Sequence, residues 1–290
     1  MTTRLRDFVE LVRLPAALSV VGDTLAGAAA AGWPHGRRTW AMPAASSCLY
    51  LAGMALNDYA DRDLDARERP ERPLPSGRVR PWEALATATA LTGAGVGAAA
   101  FAGGRRGAVT ASLLAAGVWA YDLALKPTPL APLGMAYNRG LDVLMGAGPT
   151  PGRAALPALG LAVHTFGVTL LSRGEVHGTD TATARTAVAG TALGSLLPSA
   201  PARGGQGPPW APWAAGAFGA WYGASVGAAQ TAAVRRPDGP TVMAATGAGI
   251  RGMIPLQAAY IARAGSPGRA AALAAAVPVA RAGFTAVSPT

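Results

Sequence analysis

Asn57, Asp58, Asp61 and Asp65 are spaced so that a helix would gather them on one side. Positions 58, 61 and 65 are separated by three and four residues and 57 and 61 by four, the intervals at which helical side chains are neighbours. Three carboxylates brought together repel one another, and a hard divalent cation relieves that repulsion. Mg²⁺ takes oxygen ligands and commonly sits between one or two carboxylates, water and substrate phosphates. The competing reading is a solvated acidic helix end balanced by the adjacent Arg62, Arg67 and Arg69, since exposed ion pairs are ordinary.

Further chemistry-bearing residues lie inside apolar stretches. Tyr137, Asn138, Arg139 and Asp142 fall within one such stretch. A charged residue deep in a membrane span faces the bundle interior or a watery cavity and finds a partner there. Arg139 and Asp142, three apart, are placed either to pair with each other or to leave Arg139 for phosphate. Asp23 and Arg251 are cavity candidates by the same reasoning, without an assigned role. His164, alone in its stretch, reads as a hydrogen-bonded interior histidine.

The elements that position these residues are apolar helices. The chain has 290 residues, 51% hydrophobic and 14% charged, against roughly 25% charged in soluble domains. Many segments are apolar all round, which suits lipid. The 38 Gly and 24 Pro fit membrane helices, where both are more frequent and Gly permits close helix approach. Apolar length marks spans at about 14–32, 39–57, 83–102, 107–125, 131–149, 154–171, 184–199, 210–233, 241–262 and 269–287, giving nine or ten helices. The first is read as an uncleaved helix. Trp33, Trp40, Trp210 and Trp213 fall near span ends, as an aromatic belt requires. The net charge of +10 is scattered between spans, with no long basic run, and does not point to nucleic acid. With the N-terminus in the cytoplasm, fourteen Lys and Arg lie on that side and eight opposite, which favours N-inside. The single cysteine, Cys48, excludes an internal disulfide and reads as a small buried hydrophobe. Residues 1–290 form one domain, with two unusual loops, about 57–82 and 172–183, both on the cytoplasmic side.

Residues 70–79 read Pro-Glu-Arg-Pro-Leu-Pro-Ser-Gly-Arg-Val. An Asn-Asp-x-x-Asp-x-x-x-Asp run after the second span, followed by Arg72-Pro-Leu-Pro-Ser-Gly77, resembles the first signature of the UbiA superfamily of intramembrane prenyltransferases. Tyr121-Asp-Leu-Ala-Leu-Lys126 is similar to that family's Tyr-x-x-x-x-Lys element; apart from it, Lys126 reads as a lysine snorkelling to the membrane face. The resemblance covers most of the chain as topology and is sharp near 54–82 and 121–126. It implies an all-α, polytopic membrane helical bundle in a bacterial inner membrane, and Mg²⁺-dependent transfer of a prenyl group from a prenyl diphosphate to an aromatic or other lipophilic acceptor. Catalytic roles fall to Asp58, Asp61 and Lys126, and substrate binding to Asn57, Arg72, Tyr121 and Arg139. Asp58, Asp61 and Asp65, with Glu175 and Asp180 from the second loop, are the implied Mg²⁺ ligands. That second loop, Ser172-Arg-Gly-Glu175-Val-His-Gly-Thr-Asp180, departs from the family's Asp-x-x-x-Asp pattern. Its Ser-Arg-Gly-Glu form is similar to a divergent branch that includes prenyltransferase-like proteins of the ebo gene cluster.

Two other functions compete. The irregular second motif suits a non-catalytic relative that binds or moves an isoprenoid or lipidic metabolite. An ion-coupled transporter using Asp23, Asp142 and Arg251 leaves the acidic run and Arg72-Pro73-Leu74 without a purpose. Neither acceptor identity, prenyl length nor oligomeric state is written in the sequence.

Overall fold

Residues 3–13, 18–200 and 208–275 are described in a computed structural model. They form ten helices: α1 (Thr3–Leu11), α2 (Leu18–Ala30), α3 (Ala41–Glu68), α4 (Pro81–Ala120), α5 (Ala131–Gly146), α6 (Ala155–Ser172), α7 (Thr181–Leu196), α8 (Ala211–Arg235), α9 (Gly239–Arg263) and α10 (Pro267–Ala274). No strand occurs among the described residues. Chain neighbours pack side by side from α3 through α10, and α2 closes the bundle by lying against α3, α5 and α9. The long buried run of α9, Gly252 to Ala262, forms the centre of the largest core together with α2, α5, α6 and α8.

α4 is a hairpin of two helices. Gly104 has φ +60° and ψ −148°, a backbone that side chains disfavour, and the chain reverses there. Trp119 Nε1 donates to Thr92 Oγ1 at 3.1 Å, which holds the two arms antiparallel. The expected spans at 83–102 and 107–125 are these arms. By length and apolar composition alone, two described stretches can cross a membrane, Pro81–Leu125 and Pro151–Ser172. Among the other helices, α3 carries the Asp run, α9 carries Arg251, and α5 and α7 have only 16 residues each. What marks the outside as lipid-facing is its side chains: Phe101, Leu113, Leu133, Leu159, Leu196 and Ile250 are all exposed. Trp40, Trp210 and Trp213 are exposed at helix starts, the places expected of interfacial aromatics. Cys48 is half-buried.

Two features carry the site. With 28 residues, α3 is about 42 Å long at 1.5 Å per residue, against about 30 Å of hydrocarbon. The excess of about eight residues carries Asp61 and Asp65 out of the apolar layer and leaves Asp58 at its edge. At the other end of the cavity, α2 and α5 touch backbone to backbone. A Cβ on Gly27 would strike the Val143 carbonyl, and one on Gly146 would strike that of Thr24. This approach sets Asp23 of α2 beside Arg139 and Asp142 of α5. His164, as expected, is buried and bonded, with Nδ1 2.8 Å from Tyr222 Oη and Nε2 3.1 Å from the Gly249 carbonyl.

Candidate active site

Asp58, Asp61 and Asp65 of α3 turn inward onto cations, Arg13 and Lys126 from distant elements and Arg72 from the loop that follows α3. Asp58 and Asp65 are each only 4% exposed. Arg13, just after α1, donates through Nη2 to Asp58 Oδ1 at 2.7 Å. Arg72 Nη1 donates to Asp65 Oδ2 at 2.7 Å and lies 3.8 Å from Asp58 Oδ1, bridging the two. Asp61 pairs with Lys126. The adjacent arginines take no part: Arg62 lies against Asp63 and the Tyr59 ring, and Arg67 and Arg69 are exposed. A solvated acidic helix end would show the reverse. Burial pushes the Asp58 carboxyl up despite the nearby Arg13 and Arg72 guanidinium groups.

The loop after α3 is shaped to aim Arg72. Ser76 N–H and Oγ both donate to the Arg72 carbonyl, at 3.0 and 2.6 Å, and Val79 N–H donates to the Pro73 carbonyl at 2.9 Å. Buried Leu74 and Val79 anchor the turn against α1 and α4. Arg78 clamps α1 over it, donating to Asp7 at 2.6 Å and to Glu10 at 2.9 and 3.1 Å. These carboxylates raise the Arg78 pKa, so the clamp holds its charge at any physiological pH.

Beneath the carboxylates lies a cavity of about 200 Å³ between α2, α3, the second arm of α4, and α5. Its mouth carries Asn57, Tyr121 and Asp122, and Asn57 Nδ2 donates to Asp122 Oδ1 at 3.2 Å. Leu49, Met54, Leu114, Val118 and Met135 make its walls apolar. The floor is polar. Arg139 pairs with Asp23, to which Gln257 Nε2 also donates at 2.8 Å, and Ser46 Oγ donates to Asp142 Oδ2 at 2.6 Å. Arg139 lines the cavity, and its ion-pair partner is Asp23 of α2 in place of Asp142 three residues on. Arg251 is exposed and lines no part of this cavity, which corrects its reading as a cavity residue.

The second loop sits at the same end of the bundle, because Arg173 Nη1 donates to the Thr128 carbonyl at 2.8 Å, two residues beyond Lys126. Glu175 is half-buried there. Asp180 is exposed and caps α7, accepting from Thr183 N–H at 2.8 Å and from Thr183 Oγ1 at 2.6 Å, one bond on each carboxylate oxygen. Those two bonds lower its pKa. The structure thus gives Asp180 a capping role at the start of α7. Among the described residues no three His, Cys, Asp or Glu side chains converge as a metal cluster. The donor set of Asp58, Asp61 and Asp65 nonetheless fits a hard divalent cation: all oxygen, all anionic, and balanced here by side-chain cations.

The sequence profile of the UbiA prenyltransferase family matches residues 18–236. The chain belongs to that family. Its members are integral membrane proteins. The chain is 42% identical over 89 residues to a digeranylgeranylglyceryl phosphate synthase of Natronomonas pharaonis, covering 30% of this chain and 32% of that one. It is 35% identical over 145 residues to the enzyme of that name from Ignicoccus hospitalis, covering 50% and 47%. A 4-hydroxybenzoate octaprenyltransferase of Burkholderia mallei is 57% identical over 42 residues, 14% of this chain and 15% of that one. The chain thus spans half or less of the length of these relatives. The fold matches a solved structure of a digeranylgeranylglyceryl phosphate synthase (TM-score 0.69, 18% identity, 91% of this chain and 99% of that one). It also matches a UbiA homologue from Aeropyrum pernix (TM-score 0.64, 18% identity, 84% and 96%).

Sequence reasoning missed three participants. Arg13 carried a signal, as a basic residue at the start of the first apolar run. Gln257 carried none. Asp122, four residues before Lys126, reads locally as half of an ordinary helical ion pair, yet its bond goes to Asn57.

Proposed function

We propose that the protein transfers a prenyl group from a prenyl diphosphate to a lipophilic acceptor within the membrane. The supporting observation is the inward turn of Asp58, Asp61 and Asp65 onto Arg13, Lys126 and Arg72, directly above a cavity with apolar walls. Carboxylates for a divalent cation and cations for a diphosphate occupy one place, and apolar space for an isoprenoid begins beside it.

Asp58, Asp61 and Asp65 would hold Mg²⁺, with Glu175 approaching from the second loop. Neutralisation of charge on the leaving diphosphate is the chemistry that the bound ion supplies. Lys126 and Arg72 donate to phosphate oxygens and stabilise the same developing charge. Asn57 and Tyr121 orient the donor at the cavity mouth. The apolar walls take the isoprenoid tail and keep water from the allylic cation. The names of the relatives point to acceptors such as a prenylglyceryl phosphate or 4-hydroxybenzoate. The fourteen-to-eight charge bias supports a cytoplasmic position for both loops, where soluble diphosphates are available.

Membranes carrying the protein, given geranyl, farnesyl or geranylgeranyl diphosphate, release diphosphate only when Mg²⁺ is present. Absence of release with all three favours the second reading, a family member that binds or moves an isoprenoid without reacting it. The capping role of Asp180 is the observation on that side.

A further inference from the structure

Asp122 stands at the cavity mouth and belongs to neither acidic loop. It lies in a π turn, Tyr121–Leu125, closed by Lys126 N–H donating to the Tyr121 carbonyl at 2.9 Å. Such turns recur at functional sites because the extra residue re-aims side chains. Asn57 tethers one carboxylate oxygen, Oδ1, at 3.2 Å. Among the described residues the other, Oδ2, accepts no hydrogen bond, and it lies 3.8 Å from where a Cβ on Gly53 would stand. Gly53 itself lines the cavity, and a Cβ there would crowd Val118 Cγ1 at 3.0 Å, so Gly53, Val118 and Asp122 share one stretch of the cavity wall. A carboxylate only 8% exposed with a single hydrogen bond is costly to bury, and that one bond, to Asn57 of α3, leaves Oδ2 over.

Its level in the cavity is also informative. Toward the loops, Asp61 and Lys126 mark where phosphates are met. Toward the membrane centre, Val118 and Leu114 begin the apolar wall one and two turns along the same helix. A prenyl diphosphate lying along this path brings its reacting carbon level with Asp122. Resting on the prenyl-transfer reading, we propose that Asp122 is the general base that takes the acceptor's proton. The C1–O bond of the donor breaks and its electron pair leaves with the diphosphate. A lone pair of the acceptor hydroxyl forms the new C1–O bond, and the hydroxyl proton passes to Asp122 Oδ2.

The experiment partitions the donor. Membranes are given geranylgeranyl diphosphate, Mg²⁺ and geranylgeranylglyceryl phosphate, and prenylated product is measured against prenyl alcohol and released diphosphate. A positioned base contributes about 10²–10⁴-fold, so Asp122→Asn lowers the product-to-alcohol ratio about 100-fold or more, and Asp122→Glu restores at least a tenth of it. Should the Asn variant fail to fold, Asp122→Gln against Asp122→Glu compares side chains of equal length with and without the carboxyl. A ratio within threefold of wild type overturns the assignment. So does an equal fall of product and alcohol, which marks a group acting on ionisation or on folding. A wild type that releases diphosphate without making product overturns it too, leaving no acceptor proton to take. A wild type that releases no diphosphate sinks the transferase reading itself, which is a different result.

Discussion

Replacing Arg139 separates a structural ion pair from a phosphate ligand. Asp23 is wholly buried, and the Arg139 side chain that pairs with it is 13% exposed. Arg139→Met keeps the length and apolar stem and removes the charge beside Asp23. Removing one partner of a buried pair costs about 3–5 kcal/mol, because the other charge is left uncompensated. Gln257 still donates to Asp23 at 2.8 Å, and Ser46 still donates to Asp142 at 2.6 Å. Hydrogen bonds to charged groups contribute about 1.5–3 kcal/mol each, so the loss falls at the low end, about 3 kcal/mol. At 1.36 kcal/mol per tenfold, that is a drop of about two orders of magnitude in the folding equilibrium. Denaturant unfolding in detergent micelles reads it directly. The double variant Arg139→Met/Asp23→Asn recovers most of the loss, since the stranded charge is gone. A loss under about 1 kcal/mol, with Mg²⁺-pyrophosphate binding weakened tenfold or more, would refute the pairing and return Arg139 to the diphosphate.

Asp61→Ala abolishes prenyl transfer while the protein remains inserted and folded, because Asp61 is half-buried at a helix end and not in a core; normal turnover removes the acidic cluster from the mechanism. Mg²⁺ and inorganic pyrophosphate each raise the melting temperature little alone and markedly together, since each carboxylate already holds a cation that needs a phosphate to receive it; additive shifts contradict this. Asp180→Asn, which preserves an N-cap, retains Mg²⁺-dependent turnover, whereas Asp180→Ala loses helix stability; equal loss of turnover in both variants, at unchanged stability, would instead make Asp180 a ligand.

How far the sequence could be read depended on the range of the interaction. Helices are local, and apolar length located eight spans to within a few residues at both ends, including both arms of the Gly104 hairpin. The tenth expected span, 269–287, lies largely outside the described residues, where α10 ends at Ala274. The end of α3 was misplaced because hydropathy falls at Asn57, whereas helix formation continues to Glu68. Counter-ion choice is non-local and was not legible. Nearby Arg62, Arg67 and Arg69 were the natural partners for the acidic run, yet Asp58 found Arg13 at a separation of 45 residues and Asp61 found Lys126 at 65. Arg139 likewise met Asp23 across 116 residues, through the glycine contact of α2 with α5. Asp180 is the opposite case. An Asp directly before a helix, three residues from a Thr, carries a local N-cap signal, and the resemblance to a metal motif outweighed it.

The pairings of Arg13, Arg72 and Lys126 have a consequence for the order of events. An acidic cluster at the edge of lipid would be unstable if left bare, because desolvation and mutual repulsion act together. Here the compensating charges are the groups best suited to a diphosphate: two guanidinium forks, which bind phosphate bidentately, and one ammonium. On the proposed reading, a divalent cation held by the carboxylates would free those cations for the phosphate oxygens. Metal and diphosphate would then bind as one cooperative unit, each lowering the cost of the other. With neither bound, the carboxylates and the cations stay matched to one another.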